Sequence, residues 1–298
     1  MEIIRVESPK KTAFFECIPS KGGILNQLNW GDNVIKIPFA EQFDLNDNPY
    51  HPSALLSPWV NRIRNGNYSF EGRNYQLHIN ENNLGNAIHG LLARRPFEVI
   101  LSDFKAELLY EYLGDEKGFP FSFNMQLTYA FTNDNKFEIR FFAQNTGTGN
   151  MPFACGWHPY FSLTEGKLAD WTIRFDSKSK FQSDSQMIPL REEAFDASNG
   201  VNLGEEKLDH VFRIKPMQKH VTHLFNSKKN ESLFIEQSSY DFPFLVVFAI
   251  ENENCLAIEP MSANTDAFNT GDGFRTLAPG ECFDSIVTIG YSKADKPI

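Results

Sequence analysis

Nowhere in the sequence do about eighteen apolar residues run together, which excludes a membrane-spanning helix on length alone. The first eleven residues hold no apolar stretch of signal-peptide length, so the expected location is cytoplasmic. Basic charge is short. The 28 lysines and arginines stand against 38 aspartates and glutamates, a net charge of -10. That balance opposes the counterion release on which nucleic-acid binding depends, and it disfavours an anionic membrane surface as well. Cysteine is scarce and scattered, at Cys17, Cys155, Cys255 and Cys282. No C-x-x-C pair is present, so a reducing compartment fits better than a disulfide framework or a zinc knuckle. Long amphipathic helical patterns, internal repeats, low-complexity tracts and dividing linkers are also missing. The expectation is one domain over residues 1–298, since all-β domains commonly exceed 200 residues.

What is present is aromatic and alternating. Twenty-eight phenylalanines within a hydrophobic content of 41% will supply much of the core. Phe123, Met125, Leu127, Tyr129 and Phe131 alternate with mostly polar neighbours up to the turn Asn133–Lys136, and Phe137, Ile139, Phe141 and Ala143 continue the period of two beyond it. This pattern predicts a hairpin with one buried face. A second hairpin is expected around Glu71-Gly72-Arg73-Asn74, its glycine tolerating a positive φ. Short strands are expected at 12–18, 24–30, 32–39, 171–175, 232–236, 245–250 and 285–291. The proline-containing stretch 43–58 and the polar stretch 177–209 read as loops. The strand order favours a large, mostly antiparallel sandwich.

Against that background three stretches carry chemistry. Met151-Pro152-Phe153-Ala154-Cys155-Gly156-Trp157-His158-Pro159-Tyr160-Phe161 sets one imidazole among apolar residues. Pro159 biases His158 to extended backbone, and Gly156 tolerates an approach that a Cβ would forbid. Cys155 reads as a small hydrophobe and Trp157 and Tyr160 as core residues, with stacking on a sugar as the alternative for the two rings. In Leu256-Ala257-Ile258-Glu259-Pro260-Met261, a carboxylate follows an apolar run, either ending a strand or facing a site. If desolvated, Glu259 is a stronger base than a surface glutamate. The third stretch is Asn61-Arg62-Ile63 with Asn86-Ala87-Ile88-His89-Gly90.

Taken in order, Asn-Arg, Asn-x-x-His-Gly, Pro-Phe-x-x-Gly-x-His-Pro-Tyr-Phe and Glu-Pro-Met resemble the aldose 1-epimerase (galactose mutarotase) family, from about Trp59 to Glu281. Gly118-Phe119-Pro120-Phe121 and Leu277-Ala278-Pro279-Gly280-Glu281 add to the match. The resemblance implies a single β-sandwich with an open cleft on one concave sheet. It also implies a cofactor-free, metal-free isomerase that interconverts the anomers of a free hexose, with a small-molecule sugar as its substrate. Glu259 would remove the proton from the anomeric hydroxyl, and His158 would protonate the ring oxygen. For that, His158 should start charged and Glu259 ionised, far enough apart for the sugar to sit between them. Arg62, His89, Asp209 and Asn61 would bind the sugar.

Other readings of the same residues stay open. His89 also reads as a loop histidine, Arg62 as a surface ion pair and Asp209 as a turn residue. His89, His158 and Glu259 in principle make a metal-binding triad, although no H-x-H or H-E-x-x-H spacing is present. Glu259 with Asp209 would serve a glycosidase. A silent carbohydrate-binding protein would use the same cleft, and Arg94-Arg95 would suit a hexose 6-phosphate, or else a solvated turn.

Overall fold

The alternating hairpin forms as its pattern requires. In the computed structural model, which describes residues 2–45, 47–163, 166–226 and 228–293, the strand Phe123–Phe131 pairs with Phe137–Asn145 from Phe131↔Phe137 outward. All nine apolar residues of its predicted inner face are buried. The pair lies inside a nine-stranded sheet. Its order is Ala197–Asn202, Thr172–Phe175, His220–Asn226, Glu231–Gln237, Cys282–Lys293, Phe137–Asn145, Phe123–Phe131, Lys105–Tyr112 and Glu98–Ser102.

An eight-stranded sheet faces it, in the order Pro189–Ala194, Ser177–Ser183, Asp209–Ile214, Phe244–Ile250, Cys255–Met261, Gly156–His158 and Ala54–Leu56, with Tyr160–Phe161 pairing to Cys255–Met261 off this path. The strand pairings within both sheets are antiparallel. The fold is therefore an all-β, mostly antiparallel sandwich. One continuous apolar cluster fills it, with residues running from Ile4 to Ile289. Leu127, Phe141 and Ile289 enter from one sheet, Trp157, Val247 and Ile258 from the other. Each fully buried side chain of this kind is worth ~1.5–3 kcal/mol.

Alternation then decides what the other face of the smaller sheet carries. In Cys255–Met261, Leu256 and Ile258 belong to the core, whereas Ala257, Glu259 and Met261 point the opposite way. In Phe244–Ile250, Leu245, Val247 and Ala249 face the core, and Val246 and Phe248 face outward with Glu259. The outward face forms the floor of a cleft. Segments between Asp47 and Arg94 build the opposite wall.

Four stretches depart from expectation. The stretch 43–58, read as loop, contains the strand Ala54–Leu56, whose three residues are all buried and so show no alternation. The polar stretch 177–209 contains three strands, Ser177–Ser183, Pro189–Ala194 and Ala197–Asn202. There the buried residues include Ser177 and Ser179, which donate hydrogen bonds to Phe195 O (2.8 Å) and to Glu192, so burial alternates at positions that are not hydrophobic. Conversely, 32–39 holds only isolated bridges at Asn33 and Ile35. The strands Glu98–Ser102 and Lys105–Tyr112 were not anticipated. The first is an edge strand with Ile100 and Leu101 half exposed, so its apolar run has no buried face to mark it. Gly72 has a φ of 74° in the hairpin of Asn67–Phe70 and Arg73–Gln76, as expected.

One backbone contact ties the cleft wall to the sandwich. Gly90 has a φ of 71° and lies against Ser57, where a Cβ would come within 2.1 Å of Ser57 O. We expect Gly90→Ala to destabilise the protein by ~3 kcal/mol or more, from strain and a backbone collision together. Denaturant unfolding checks this. A change under ~0.5 kcal/mol would mean the contact is not needed.

Candidate active site

Gly156 pairs with Met261 in an antiparallel register, and two residues further along this register His158 lies opposite Glu259. His158 Nε2 is 3.4 Å from Glu259 Oε1, and both side chains are buried. Gly156 allows this approach, because a Cβ there would stand 2.8 Å from Pro260 O. Trp157, between them in sequence, faces the core, fully buried, with Nε1 donating to Ser53 O at 3.1 Å. Core packing therefore holds for Trp157. Tyr160 instead lines the cleft, its ring 5.0 Å from that of His158. Glu259 does not end its strand, which continues to Met261, so it faces the site. Cys155 is buried, and burial pushes its thiol up and out of reach of the thiolate form.

Across the cleft the strand Arg62–Ile63 pairs with Ala87–Ile88, and His89 N donates to Asn61 O at 2.9 Å. This short ladder sets Asn61, Arg62 and His89 side by side. Asn61 and His89 have φ values of 48° and 63°, a left-handed conformation costly for non-glycine residues and concentrated at functional sites. The His89 ring meets that of His158 edge to face at 5.1 Å. Arg62 is not a surface ion pair. It is held by Glu81 and Asn61 and lies in the cavity wall. Asp209 opens the strand Asp209–Ile214 and reaches the same cavity from the sheet side. The cavity encloses about 650 Å³, within the ~300–1,000 Å³ usual for small-molecule sites. All six residues singled out in the sequence thus line one cavity, from segments up to about 200 residues apart in sequence.

Three further residues belong to it. His51, with a φ of 47°, places its ring 4.7 Å from His89, so three imidazoles stand in a row. The stretch around His51 carries no motif, and only its position before Pro52 hinted at constrained backbone. Glu81, within the polar loop, pairs with Arg62 at 2.8 Å. Arg94 lines the cleft and an adjoining cavity of about 210 Å³, and it has no hydrogen-bond or ion-pair partner among the described residues. Its neighbour Arg95 is paired with Glu116 at 3.0 Å.

Electrostatics reverse one expectation. Burial pushes the Glu259 carboxyl up from 4.5 to about 8, Arg62 pulling it partly back and Asp209 raising it further. Burial likewise lowers His158 from 6.5 to about 3, helped by His51 and Arg62. An ion pair at 3.4 Å would recover roughly 5 kcal/mol at an effective dielectric of ~20, whereas desolvating two ions costs several kcal/mol each. The neutral pair is therefore the resting form, a carboxylic acid against a neutral imidazole. The two groups are not held apart as expected from the sequence, and burial works against the charged form of each. Proton count is the same in both forms, so the pair carries one transferable proton across neutral pH. Glu259 Oε2 and the Nδ1 atoms of His89 and His158 have no hydrogen-bond partner among the described residues. Such an arrangement is suited to exchanging protons with a polar ligand.

Among the described residues no group of three or more His, Cys, Asp or Glu side chains is arranged to hold a metal ion, so His89, His158 and Glu259 do not make the triad considered above. No helix among them is long and apolar enough to cross a membrane.

A family model described as aldose 1-epimerase matches residues 14–290. The chain is 28% identical over 240 residues to the uncharacterized protein YihR of Escherichia coli K12, covering 78% of this chain and 76% of that protein. Its fold is similar to that of a galactose mutarotase-like protein from Clostridium acetobutylicum (TM-score 0.87, 20% identity, 98% of this chain and 95% of that chain). It is also similar to a GalM/aldose epimerase homologue from C. elegans (TM-score 0.84, 19% identity, 99% of each chain). A match of this extent, on a sandwich whose cleft gathers the motif residues, shows that the chain belongs to the aldose 1-epimerase family.

Proposed function

We propose that this protein interconverts the α and β anomers of a free hexose, acting as one cofactor-independent unit with Glu259 and His158 as its acid and base. The observation that carries this reading is the buried carboxyl–imidazole pair 3.4 Å apart, in which burial favours the neutral form of each group. Ring opening needs a base at the anomeric hydroxyl and an acid at the ring oxygen, and ring closure after rotation needs the same two groups in reverse. On binding, sugar hydroxyls donate to the Glu259 oxygens, Arg62 favours the carboxylate, and the proton passes to His158. Glu259 is then the base and His158 the acid. Arg62, Asn61, His89 and Asp209 hold the ring hydroxyls between them.

A hexose carrying an anionic group such as a 6-phosphate is the second reading. It is supported by Arg94, a cleft-lining cation with no partner among the described residues. Polarimetry of freshly dissolved α-glucose, α-galactose and a hexose 6-phosphate separates the two readings. Saturable binding without acceleration of any of them would instead mean a sugar-binding protein.

Glu259→Gln and His158→Asn should each lower the rate ~10²–10⁴-fold with sugar binding weakened much less, since each removes one proton-transfer group. A folded Glu259→Gln protein of near-normal rate would remove Glu259 from the mechanism. Chelator and nucleotide should leave the wild-type rate unchanged.

The rate should also depend on pH through the one-proton state of the pair. It is lost as pH rises through the raised pKa of about 8, where the pair gives up its only proton, and as pH falls far below 6.5, where His158 takes up a second. The profile should be a broad bell with its plateau through slightly acidic and neutral pH. Limbs near the ordinary values of 4.5 and 6.5 would contradict a desolvated pair.

A further inference from the structure

Arg62 does not approach the cleft alone. Its Nε donates to both oxygens of Glu81 (3.1 and 3.0 Å), Nη2 donates to Oε1 (2.8 Å), and Nη1 donates to Asn61 Oδ1 (3.0 Å). Glu81 Oε2 also accepts from Asn86 Nδ2 at 3.0 Å. Both members of the pair are largely withdrawn from solvent, the side chains of Arg62 and Glu81 being 18% and 13% exposed.

Backbone bonds close the loop of Glu81 independently of its carboxylate. The turn from Glu81 to Asn86 is closed by backbone bonds, Glu81 O accepting from the amides of Gly85 (2.8 Å), Leu84 and Asn86, and Asn86 O accepting from Glu81 N (3.1 Å). The segment before it is anchored by Asn80, whose side chain bonds both N and O of Ile88. Asn86 Nδ2 reaches on to Gln186 O at 2.9 Å, joining this cluster to the turn between Ser177–Ser183 and Pro189–Ala194. That turn lends Met187, and the strand end before it Ser183, to the cleft wall. Glu81 is thus the common acceptor between the arginine of the site and the asparagine that pins a second wall.

We propose that Glu81 is a positioning residue of this site: its carboxylate aims the Arg62 guanidinium and offsets its charge, so that Arg62 orients the ligand without drawing the proton off the Glu259–His158 pair. The inference rests on reading the cleft as an anomer-interconverting site. Two physical terms support it. A guanidinium with three of its donor contacts fixed in a fork loses little further freedom when it meets a ligand. Arg62 is also the strongest influence lowering the Glu259 carboxyl, and it lowers His158 and His89 as well. Besides Arg62, Glu259 is faced by His158, Tyr160 and Asp209 on the sheet and by His89 on the opposite wall, while His51 and Arg94 stand further along. Among the described residues only Glu81 and Asn61 bond Arg62 through side chains, and of the two only Glu81 carries a charge.

The test uses Glu81→Gln and Glu81→Asp in the full-length protein, with thermal unfolding as the check that each is folded. Glu81→Gln keeps the size but removes the charge, so Arg62 acts on the pair unopposed. The kcat/KM should fall ~10-fold or more as the arginine loses its aim. The alkaline limb of the pH–rate profile should move downward by about half a unit or more, a fraction of the ~1–3 units that a directly adjacent charge exerts. Glu81→Asp keeps the charge with a shorter reach, so the limb should return towards its wild-type position while kcat/KM stays reduced. A merely structural role would lower both variants' stability and leave the limb in place. The proposal is overturned by folded Glu81→Gln protein with kcat/KM within about twofold of wild type and an unmoved limb. Should Glu81→Gln not fold, unaltered kcat/KM in Glu81→Asp overturns it instead. If wild-type protein fails to accelerate mutarotation, the function proposed above fails. NMR titration of the Glu259–His158 pair then decides on Glu81 separately, a lower midpoint in Glu81→Gln supporting it and an unmoved one overturning it.

Discussion

The burial of a carboxyl and an imidazole side by side is the constraint around which this protein is arranged. Two ions in that position would each cost several kcal/mol to desolvate, and their attraction at 3.4 Å does not recover the whole. The pair is therefore stable only as neutral partners or with a ligand that supplies polar contacts. Both conditions need a rigid setting. Cross-strand register provides it: Glu259 and His158 stand opposite each other because Gly156 pairs with Met261, and their neighbours Ile258 and Trp157 are locked into the core on the other face.

The opposite wall is rigid by a different means. His51, Asn61 and His89 adopt left-handed backbone, a cost of ~1–3 kcal/mol each that the surrounding structure must over-determine. For Asn61 and His89, the hydrogen bond from His89 N to Asn61 O, the close seat of Gly90 on Ser57 and the Glu81–Arg62 fork are such contacts. One wall thus takes its precision from a sheet. The other takes it from strained loops tied down by polar contacts. A ligand between them meets fixed donors on one side and a mobile proton on the other.

How much of this was legible in the sequence depends on what each residue's neighbours looked like. Glu259 and His158 stood out because a charge or an imidazole in an apolar run needs a reason, and Arg62 and His89 because their strings recur in a known order. Glu81 and His51 had no such contrast, lying in polar or proline-rich loops where acidic and histidine residues are ordinary. The hairpin Phe123–Asn145 was plain because its inner face is apolar throughout. Ser177–Ser183 was hidden because two of its buried positions are serines satisfied by hydrogen bonds, and Ala54–Leu56 because all three of its residues are buried. The protonation state was not legible at all. It follows from a distance between residues about a hundred positions apart and from the burial of both, and these exist only in the fold.

The measurement that bears most directly on the buried pair is an NMR titration of the free protein, following the Glu259 carboxyl carbon and the His158 ring nitrogens. One proton should remain on the pair throughout neutral pH, with its loss at a midpoint raised from 4.5 towards about 8 and uptake of a second proton only far below 6.5, towards about 3. Independent titration of Glu259 near 4.5 and His158 near 6.5 would contradict a desolvated pair sharing a single proton.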